Sequence, residues 1–444
     1  MGFDIAAGLD NGTLNTLIAQ VYAAVYPSLF RDTIQVNEAG ISSVSFDINQ
    51  APTALLTLSE ADREQLEKAY KKALAVHASA TSAESLAAKT VAAATTATLG
   101  LQASSVALTV NYTGGGTPTQ VTASLAATVS IDAAVVSGNN VLTVQVVTAA
   151  LNIPGQSALQ ALLNEGFVPG FLIPYLNQNI LSPIQIPALA YGSLQVSMPV
   201  PVVNAPYVTA YSALGATPPD VPPPSTWPTG CVYVATDVAA LTAAASIPFP
   251  IGPSTGFDWK IISGEARAQV LPPQGITINA DGSLTATAVA NASAQLTVHT
   301  PWPLPNFSFG PSATASLTAT LQPSVVNGEL VVQVAGIVLP SFSFSWGSIP
   351  DWVEWILSPL LDGLADALNA VFGPLIKDAL SGLSIPVYTI PSISIPLAGK
   401  EISVHVNQAT TSATAGNSLL LVQAKASVSS TEAAVAKVLA RSAA

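Results

Sequence analysis

Pro218-Pro219-Asp220-Val221-Pro222-Pro223-Pro224-Ser225-Thr226-Trp227-Pro228 stands near the middle of a chain of 444 residues. A run this rich in proline offers few backbone donors and favours extended polyproline geometry, so it connects elements rather than forming one. Read as a semi-rigid linker, it predicts two units of similar length, residues 1–217 and 229–444. Both are close to the roughly 100–200 residues usual for a domain.

Outward from the linker, the same order of elements occurs on each side. Before it, Gly155–Asn179 reads as a closing helix with Leu159, Leu162, Leu163, Phe167, Phe171, Leu172, Tyr175 and Leu176 mostly at helical spacing. Pro169 and Pro174 must kink or divide that helix. An Ile/Pro segment, Leu181-Ser182-Pro183-Ile184-Gln185-Ile186-Pro187, and an alternating strand, Leu194–Met198, follow. After the linker, Pro350–Leu380 reads as a second closing helix. Its apolar positions include Trp352, Trp355, Ile356, Leu360, Leu361, Leu364, Leu368, Val371, Phe372, Leu375 and Ile376. It too gives way to Ile/Pro segments, Leu383–Pro386 and Ile393–Pro396, and to a strand, Ile402–Val406.

The units also open alike. Asn11–Val25 predicts a helix capped by Asn11 or Thr13, with Leu14, Leu17, Ile18, Val21 and Val25 on one apolar face. The second unit opens on Tyr233–Asp237 and an Ala-rich helix carrying Val238 and Leu241. Alternating strands lie between the helices. They are expected at Ile34–Ile48, Val106–Tyr112, Val121–Ile131 and Val141–Val147 in the first unit. In the second they are Trp259–Leu271, Ile276–Asn279, Ser283–Val298, Ala313–Leu321 and Leu330–Ile337. Turns such as Thr113–Gly116, Ser137–Asn140, Ala280-Asp281-Gly282 and Val326-Asn327-Gly328-Glu329 join them as hairpins. A charged helix from Ser59 to about Ala94 is an insertion with no counterpart, and reads as a solvated helix or a membrane- or partner-contacting element. A short helix is expected at Thr431–Ala440.

Half of the chain is hydrophobic and only 9% is charged, against about 25% in ordinary soluble domains. No stretch reaches about 18 uninterrupted apolar residues, so a helical membrane span is not expected. Twenty-five acidic residues against 13 basic ones give a net charge of −12, and no basic cluster exceeds Lys71-Lys72. This argues against a nucleic-acid partner, and strong attraction to anionic headgroups is not expected. One cysteine, Cys231, rules out an intrachain disulfide framework. Met1–Gly8 has neither a basic nor a long apolar region, so cytoplasmic residence is the default expectation, with export lacking a cleaved signal left open.

Catalytic and metal signals are sparse. His77, His299 and His405 are scattered, the last two in strand patterns. No phosphate loop, HExxH or GxSxG occurs, and the Asp281-Gly282 and Asn139-Asn140 pairs read as turns rather than calcium ligands. No enzyme activity, metal or cofactor is expected. Trp227 and Trp302 sit in proline-rich segments and would pin a loop or present a contact surface.

Each unit therefore reads as α+β, an antiparallel sheet with apolar helices on it. Inward strand positions are largely Ala, Val, Thr and Ser. Such small wall residues opposite large helix residues either fill a core or, if the sheet curls strongly, leave a tube.

Two helix–curled sheet–helix units about a proline-rich connection resemble the tubular lipid-binding (TULIP) superfamily, the group of the bactericidal/permeability-increasing protein. The resemblance rests on the Leu14–Val25, Leu159–Leu176 and Trp352–Ile376 helices and on the exits at Ile184–Pro187 and Ile393–Pro396. It spans almost the whole chain as a pattern, without a short diagnostic motif. The missing signal peptide and disulfide point to the bacterial branch, which includes clostridial toxin-associated members. The resemblance implies binding, with possible transfer, of a lipid or fatty acyl chain in each unit. The residues lining the tubes would be Leu14, Leu17, Ile18, Val21, Leu163, Phe167, Phe171, Leu172, Trp352, Trp355, Ile356, Leu364, Leu368 and Phe372. Burial of a chain of about sixteen carbons at about 0.8 kcal/mol per CH₂ would gain on the order of ten kcal/mol before immobilisation. A transient membrane or protein partner is compatible with this. The rival reading is a structural or interaction scaffold of a toxin or surface complex, with side chains filling both cores.

Overall fold

Strand β1 (Ile5–Asp10) runs directly into helix α1 (Asn11–Val25), and Asp10 makes the junction. Its carboxylate accepts from Gly12 N at 3.0 Å and from the Thr13 hydroxyl, satisfying a donor that the helix start leaves open. The cap is thus Asp10, one residue before the expected Asn11. The computed structural model from which this is read describes residues 2–57, 96–136, 139–179, 184–186, 194–219, 226–259, 261–300, 305–347, 361–389, 393–397 and 400–432. The expected helix at 59–94, Trp302, Trp352, Trp355, Ile356 and most of the proline run lie outside the described residues.

The first half continues through β2 (Arg31–Glu38), β3 (Ile41–Ile48), β4 (Thr53–Leu55), β5 (Thr96–Tyr112), β6 (Thr119–Val136) and β7 (Asn139–Asn152). Helix α2 (Ser157–Leu162), a π-helical stretch (Leu163–Leu172) and α3 (Ile173–Asn179) follow, then β8 (Ile184–Ile186), β9 (Val200–Asn204) and β10 (Tyr207–Ser212). The second half contains β11 (Val232–Asp237), α4 (Val238–Ser246), β12 (Ser254–Trp259), β13 (Ile262–Val270), β14 (Gly275–Ile278), β15 (Leu284–Val298), β16 (Phe307–Phe309), β17 (Ser312–Val326) and β18 (Glu329–Val338). It ends with α5 (Leu361–Leu380), β19 (Ser384–Thr389), β20 (Ile393–Leu397), β21 (Lys400–Ala413) and β22 (Leu419–Glu432).

These strands form three curled antiparallel sheets, the α+β class expected from the sequence. One has the order β2-β3-β5-β6-β7-β8, with β4 also on β5. Another has the order β12-β13-β15-β17-β18-β19, with β14 and β16 also on β15. Apart from β16, the pairing order of the two sheets is the same, and the closing helix falls between corresponding strands. The third sheet, β20-β21-β22-β11-β1-β10-β9, was not foreseen. It takes strands from both halves, joined where β1 pairs with β11, Ala7 opposite Val234.

Several expected elements are redrawn. The single strand expected at 34–48 is a hairpin, because Ala39 and Gly40 adopt φ of 49° and 78° and turn the chain back. Positive φ at both central residues matches the twist of the flanking strands. Alanine is an unusual carrier of that turn, which hid it; Asn327-Gly328, with φ of 53° and 79°, makes the expected one. The strand expected at Trp259–Leu271 is found as β13 (Ile262–Val270), with Trp259 the last residue of the preceding β12. Leu194–Met198 reduces to isolated bridges, among them Val196 to Leu214. Thr431 and Glu432 belong to β22; the rest of the helix expected there lies outside the described residues. In the first closing helix, Pro169 lacks the N–H that would continue the α-ladder, and the chain is π-helical through it.

The shared sheet has two faces. Phe3, Ala6, Tyr207, Tyr211, Tyr233, Ala235, Leu419 and Leu421 form an outer cluster with Trp227. Trp227 stacks on Tyr233 with ring centroids 4.9 Å apart, and its carbonyl accepts from the Tyr207 hydroxyl at 2.5 Å. The proline run is thus pinned by its tryptophan, one of the two roles foreseen for it. Residues of opposite parity face the interiors: Ile5, Leu420 and Val422 the second, Leu397 and Ile402 the first. The C-terminal hairpin crosses onto the first half, where Lys400 Nζ donates to Ala24 O at the end of α1 at 2.6 Å. Val428 N donates to Gln20 Oε1 at 2.9 Å.

Candidate functional site

In the second half, alternation puts alanine on the concave face almost throughout. Ala266 and Ala268 on β13, Ala286 to Ala294 at every second position of β15, and Ala313, Ala315 and Ala319 on β17 are all buried. They also meet across strands: Ala268 opposite Ala292, Ala290 opposite Ala315, Ala286 opposite Ala319. A wall with no atoms beyond Cβ leaves depth that the closing helix must fill. Helix α5 does so with Leu364, Leu368, Phe372, Ile376 and Leu380, four apart along one face and each at most 5% exposed.

Where that helix ends, filling stops. A cavity of about 30 Å³ lies among Leu380, Leu383, Ile385, Phe249, Val270, Pro273, Ala286, Ala288, Leu317, Ala319, Leu321, Val334 and Ala245. The first half has a cavity of about 70 Å³ among Leu176, Phe30, Ile48, Pro52, Leu101, Ala103, Leu125, Ala127 and Val146. The walls correspond through the repeated topology. Leu176 and Leu380 lie in the last turns of the closing helices, and Val146 and Val334 sit on β7 and β18. Leu125/Ala127 and Leu317/Ala319 occupy β6 and β17; Leu101/Ala103 and Ala286/Ala288 occupy β5 and β15. Pro52 and Pro273 stand in the connections before β4 and β14. No charged side chain lines either cavity.

Each closing helix is fixed by asparagine. Beyond Asn140–Leu142, β8 no longer covers the edge of β7. There Asn177 accepts from Val146 N at 2.7 Å and donates to its carbonyl at 3.1 Å. Asn164 does the same to Leu151, at 2.8 Å both ways. In the second half Asn369 takes both backbone groups of Phe342, at 2.7 and 3.2 Å. A primary amide supplies one acceptor and one donor side by side, as a neighbouring strand would. Each closing helix is thereby hydrogen-bonded to an extended segment whose backbone is otherwise open.

Of the expected lining residues within the described regions, none is on the walls of these two cavities. Leu163, Phe167 and Leu172 are buried in the first interior, and Phe171 is half-buried against it. Leu14, Ile18 and Val21 pack half-buried on the same core; Leu17 is half-buried. Leu364, Leu368 and Phe372 are core in the second interior, Phe372 with its ring 5.8 Å from those of Phe342 and Phe344. The sequence reading missed Phe30, Pro52, Phe249, Pro273 and the alanines that line the cavities. The strand alternation marked those alanines as wall, but where the helix tip leaves them uncovered depends on tertiary placement.

Polar groups collect at the shared sheet. Burial raises the Asp237 pKa; its cap bond from Ala240 N (2.8 Å) opposes this and the nearby Asp4 carboxylate adds to it. Burial also acts on Asp10, but hydrogen bonds from Thr13, Gly230 N and Gly12 N outweigh it and its pKa is lowered. Cys231 is buried and its thiol pKa is pushed up, chiefly by burial and further by Asp10, which keeps it protonated. His299, just beyond the end of β15, and His405, on β21, are exposed and hydrogen-bonded to Ser263 and Ser429 at 2.8 Å. Among the described residues no three His, Cys, Asp or Glu side chains group as metal ligands, and no helix is long and apolar enough to cross a membrane.

No family model matches the chain, and no curated protein does. Among solved structures it is similar, over 96% of its length, to 99% of a lipopolysaccharide binding protein at 12% identity and a TM-score of 0.28. It is also similar, over 96% of its length, to 99% of P47 of Clostridium botulinum E1 at 8% identity and a TM-score of 0.46. Likeness at this level says nothing of what this chain binds, and the fold described above stands on its own strand order.

Proposed function

We propose that the chain is a non-catalytic lipid-binding protein of two units, about 1–217 and 229–444, joined by the proline run. In each unit an acyl chain would lie between the closing helix and the curled sheet, starting from the cavity at the helix tip. The observation that carries this reading is the recurrence of the void. An accidental packing defect has no reason to appear on corresponding strands of both halves, whereas an inherited ligand space does. Each methylene moved from water into such a space gains about 0.8 kcal/mol, with no charged partner needed.

Neither cavity holds a lipid as it stands. An apolar cavity of roughly 150 Å³ accepts benzene, and these measure about 70 and 30 Å³. Binding would require the closing helix to move off the sheet, and the asparagine bonds are the contacts it would break. Organic extraction of the purified protein, followed by lipid mass spectrometry, tests the proposal. Fatty acid or phospholipid is expected, together with uptake of a fluorescent fatty acid. Empty extracts with no uptake would overturn it. The small voids favour one other reading, a scaffold with filled cores, and the same empty result would support that.

A further inference from the structure

The β2–β3 and β12–β13 hairpins hold corresponding places in the two halves and turn in the same way. Glu38 faces Ile41 across the first turn, and Trp259 faces Ile262 across the second. Each turn is tied to the chain leaving the neighbouring long strand by the same bond. Thr113 N donates to Gly40 O at 2.9 Å, and His299 N donates to Ile261 O at 2.8 Å. Only the side chains differ. Glu38, Ala39 and Gly40 are exposed, and so is the glycine-rich connection at 113–118 beside them. The second turn starts at Trp259 and carries Ile261, which is 53% exposed. The fold makes this turn without apolar residues, so Trp259 and Ile261 call for another reason.

A single exposed isoleucine is ordinary on a protein surface, but this one has company. Trp259 stacks on Phe257 with ring centroids 4.3 Å apart, and the Phe257 ring lies over Gly264, where a Cβ would come within 3.1 Å of it. Phe307 sits opposite Val298 at the end of β15, and the Trp346 ring lies 6.3 Å from that of Phe309. Phe257, Trp259, Phe307 and Trp346 are all half-buried. The stretches that meet here, 261–264, 296–300, 306–310 and 342–347, contain no Asp, Glu, Lys or Arg, and the Asp258 and Lys260 that flank Trp259 in sequence cancel in formal charge.

These properties select the occupant. A turn and a few strand ends fall well short of the roughly 800 Å² per partner that a stable protein interface takes. A bilayer asks for less: a projecting aliphatic side chain enters the acyl region, and tryptophan settles at headgroup level. The chain carries a net charge of −12, and this patch has no Lys/Arg cluster to draw it to anionic headgroups. A zwitterionic surface is the one that fits.

We infer that the β12–β13 turn and the aromatic strand ends beside it dock the second unit on a zwitterionic phospholipid surface, with Ile261 in the acyl region and Trp259 at headgroup level. The choice of a lipid surface rests on the lipid-binding reading above. The site is separate from the cavity, because Ile262 and Val270 are opposite ends of β13 and only Val270 lines that space.

Flotation of the full chain with phosphatidylcholine vesicles tests this, beside vesicles enriched in phosphatidylglycerol. The parent is expected to float with the former and less with the latter. Ile261→Asp is expected to weaken flotation about tenfold or more, as a charge in the acyl region would, and Ile261→Leu to preserve it. Trp259→Glu combined with Ile261→Gly rebuilds the turn of the first half, which this topology already accommodates, and should also abolish flotation. Val326→Asp is the control, since Val326 is 49% exposed on the β17–β18 turn, and it should change nothing. Undiminished flotation of either turn variant, or an equal loss with Val326→Asp, would overturn the docking site. A parent that stays unbound, or that instead forms a dimer broken by Ile261→Asp, would overturn it as well. Uptake of a fluorescent fatty acid from solution, expected to be unchanged in all variants, reports separately on the lipid-binding reading. Uptake without flotation would overturn the docking site alone, and absence of both would overturn both.

Discussion

The two interiors share a topology but fill it by opposite means. In the first, the sheet carries Leu99, Leu101, Leu108, Leu125 and Val129, and the closing helix is broken, π-helical around Pro169. In the second, the wall is largely alanine and the 20-residue helix Leu361–Leu380 runs unbroken through Pro374. A bulky wall goes with an irregular helix, and a flat wall with a regular one bearing large side chains. Close packing requires such compensation, since interiors tolerate few voids. Yet a void remains at the same place in both. The compensation covers most of each helix and fails at its tip, so the tip is where these halves remain alike.

The sharpest way to break the comparison is to remove filling where it is complete. Leu368 is 0% exposed on the regular helix. Leu368→Ala is expected to cost about 2–5 kcal/mol. Leu176→Ala, at a wall already open to a void, is expected to fall at the low end of that range. Denaturant unfolding of both variants compares them; equal losses would mean that the void does not loosen its surroundings. Leu368→Trp separates a packed position from a tube. With the neighbours as observed it should overpack, costing about 1–3 kcal/mol or more, and bound lipid measured beside melting shows whether ligand is displaced instead.

Next come the asparagines. Asn369→Leu leaves Phe342 N and O without their partner, at about 1–3 kcal/mol for a buried group. Asn177→Leu does the same to Val146. If the closing helix is the moving part, both variants should also take up a fluorescent fatty acid faster than the parent. A loss of stability with unchanged uptake would place the opening elsewhere.

Filling the voids tests their difference in size. Ala127→Leu enters the 70 Å³ space and should be near neutral. Ala288→Leu enters 30 Å³ and should cost about 1–3 kcal/mol by overpacking. Thermal melting of the pair is sufficient, and the opposite ranking would contradict the cavity assignments.

Much of this architecture was legible because its signals are local. Asn327-Gly328 supplies a hairpin turn, and Leu364, Leu368 and Phe372 recur every fourth residue. The shared sheet was not legible. Ala7 and Val234 are strand neighbours from opposite halves, and no periodicity in either segment names its partner. The asparagine clamps were hidden for the same reason, since Asn177 in a helix has no local mark of the backbone it serves. The cavity walls lay between these cases: alternation assigns Ala286 and Ala288 to the concave face, but only the end of α5 decides that they stay uncovered.

The smallest expected effect separates the two helix caps, which occupy matching places after β1 and β11. The folded pKa of Asp10 lies below its unfolded value, so its contribution to stability is present above the unfolded pKa, about 4. That contribution is lost as pH falls through the folded pKa. The folded pKa of Asp237 lies above its unfolded value, so its contribution is full below about 4 and is lost as pH rises through the folded pKa. Asparagine caps a helix about as well as aspartate, so substitution isolates the charge. Asp10→Asn should lower the melting temperature at pH 7 and leave it nearly unchanged well below pH 4. Asp237→Asn should do the reverse in sign, raising it at pH 7 because the variant no longer holds a buried carboxylate beside Asp4. Melting curves of both variants at pH 3 and pH 7 carry the comparison. If Asp237→Asn is destabilising at pH 7 by as much as Asp10→Asn, the acid pair at the seam is not under repulsion, and the two caps are equivalent in charge as well as in place.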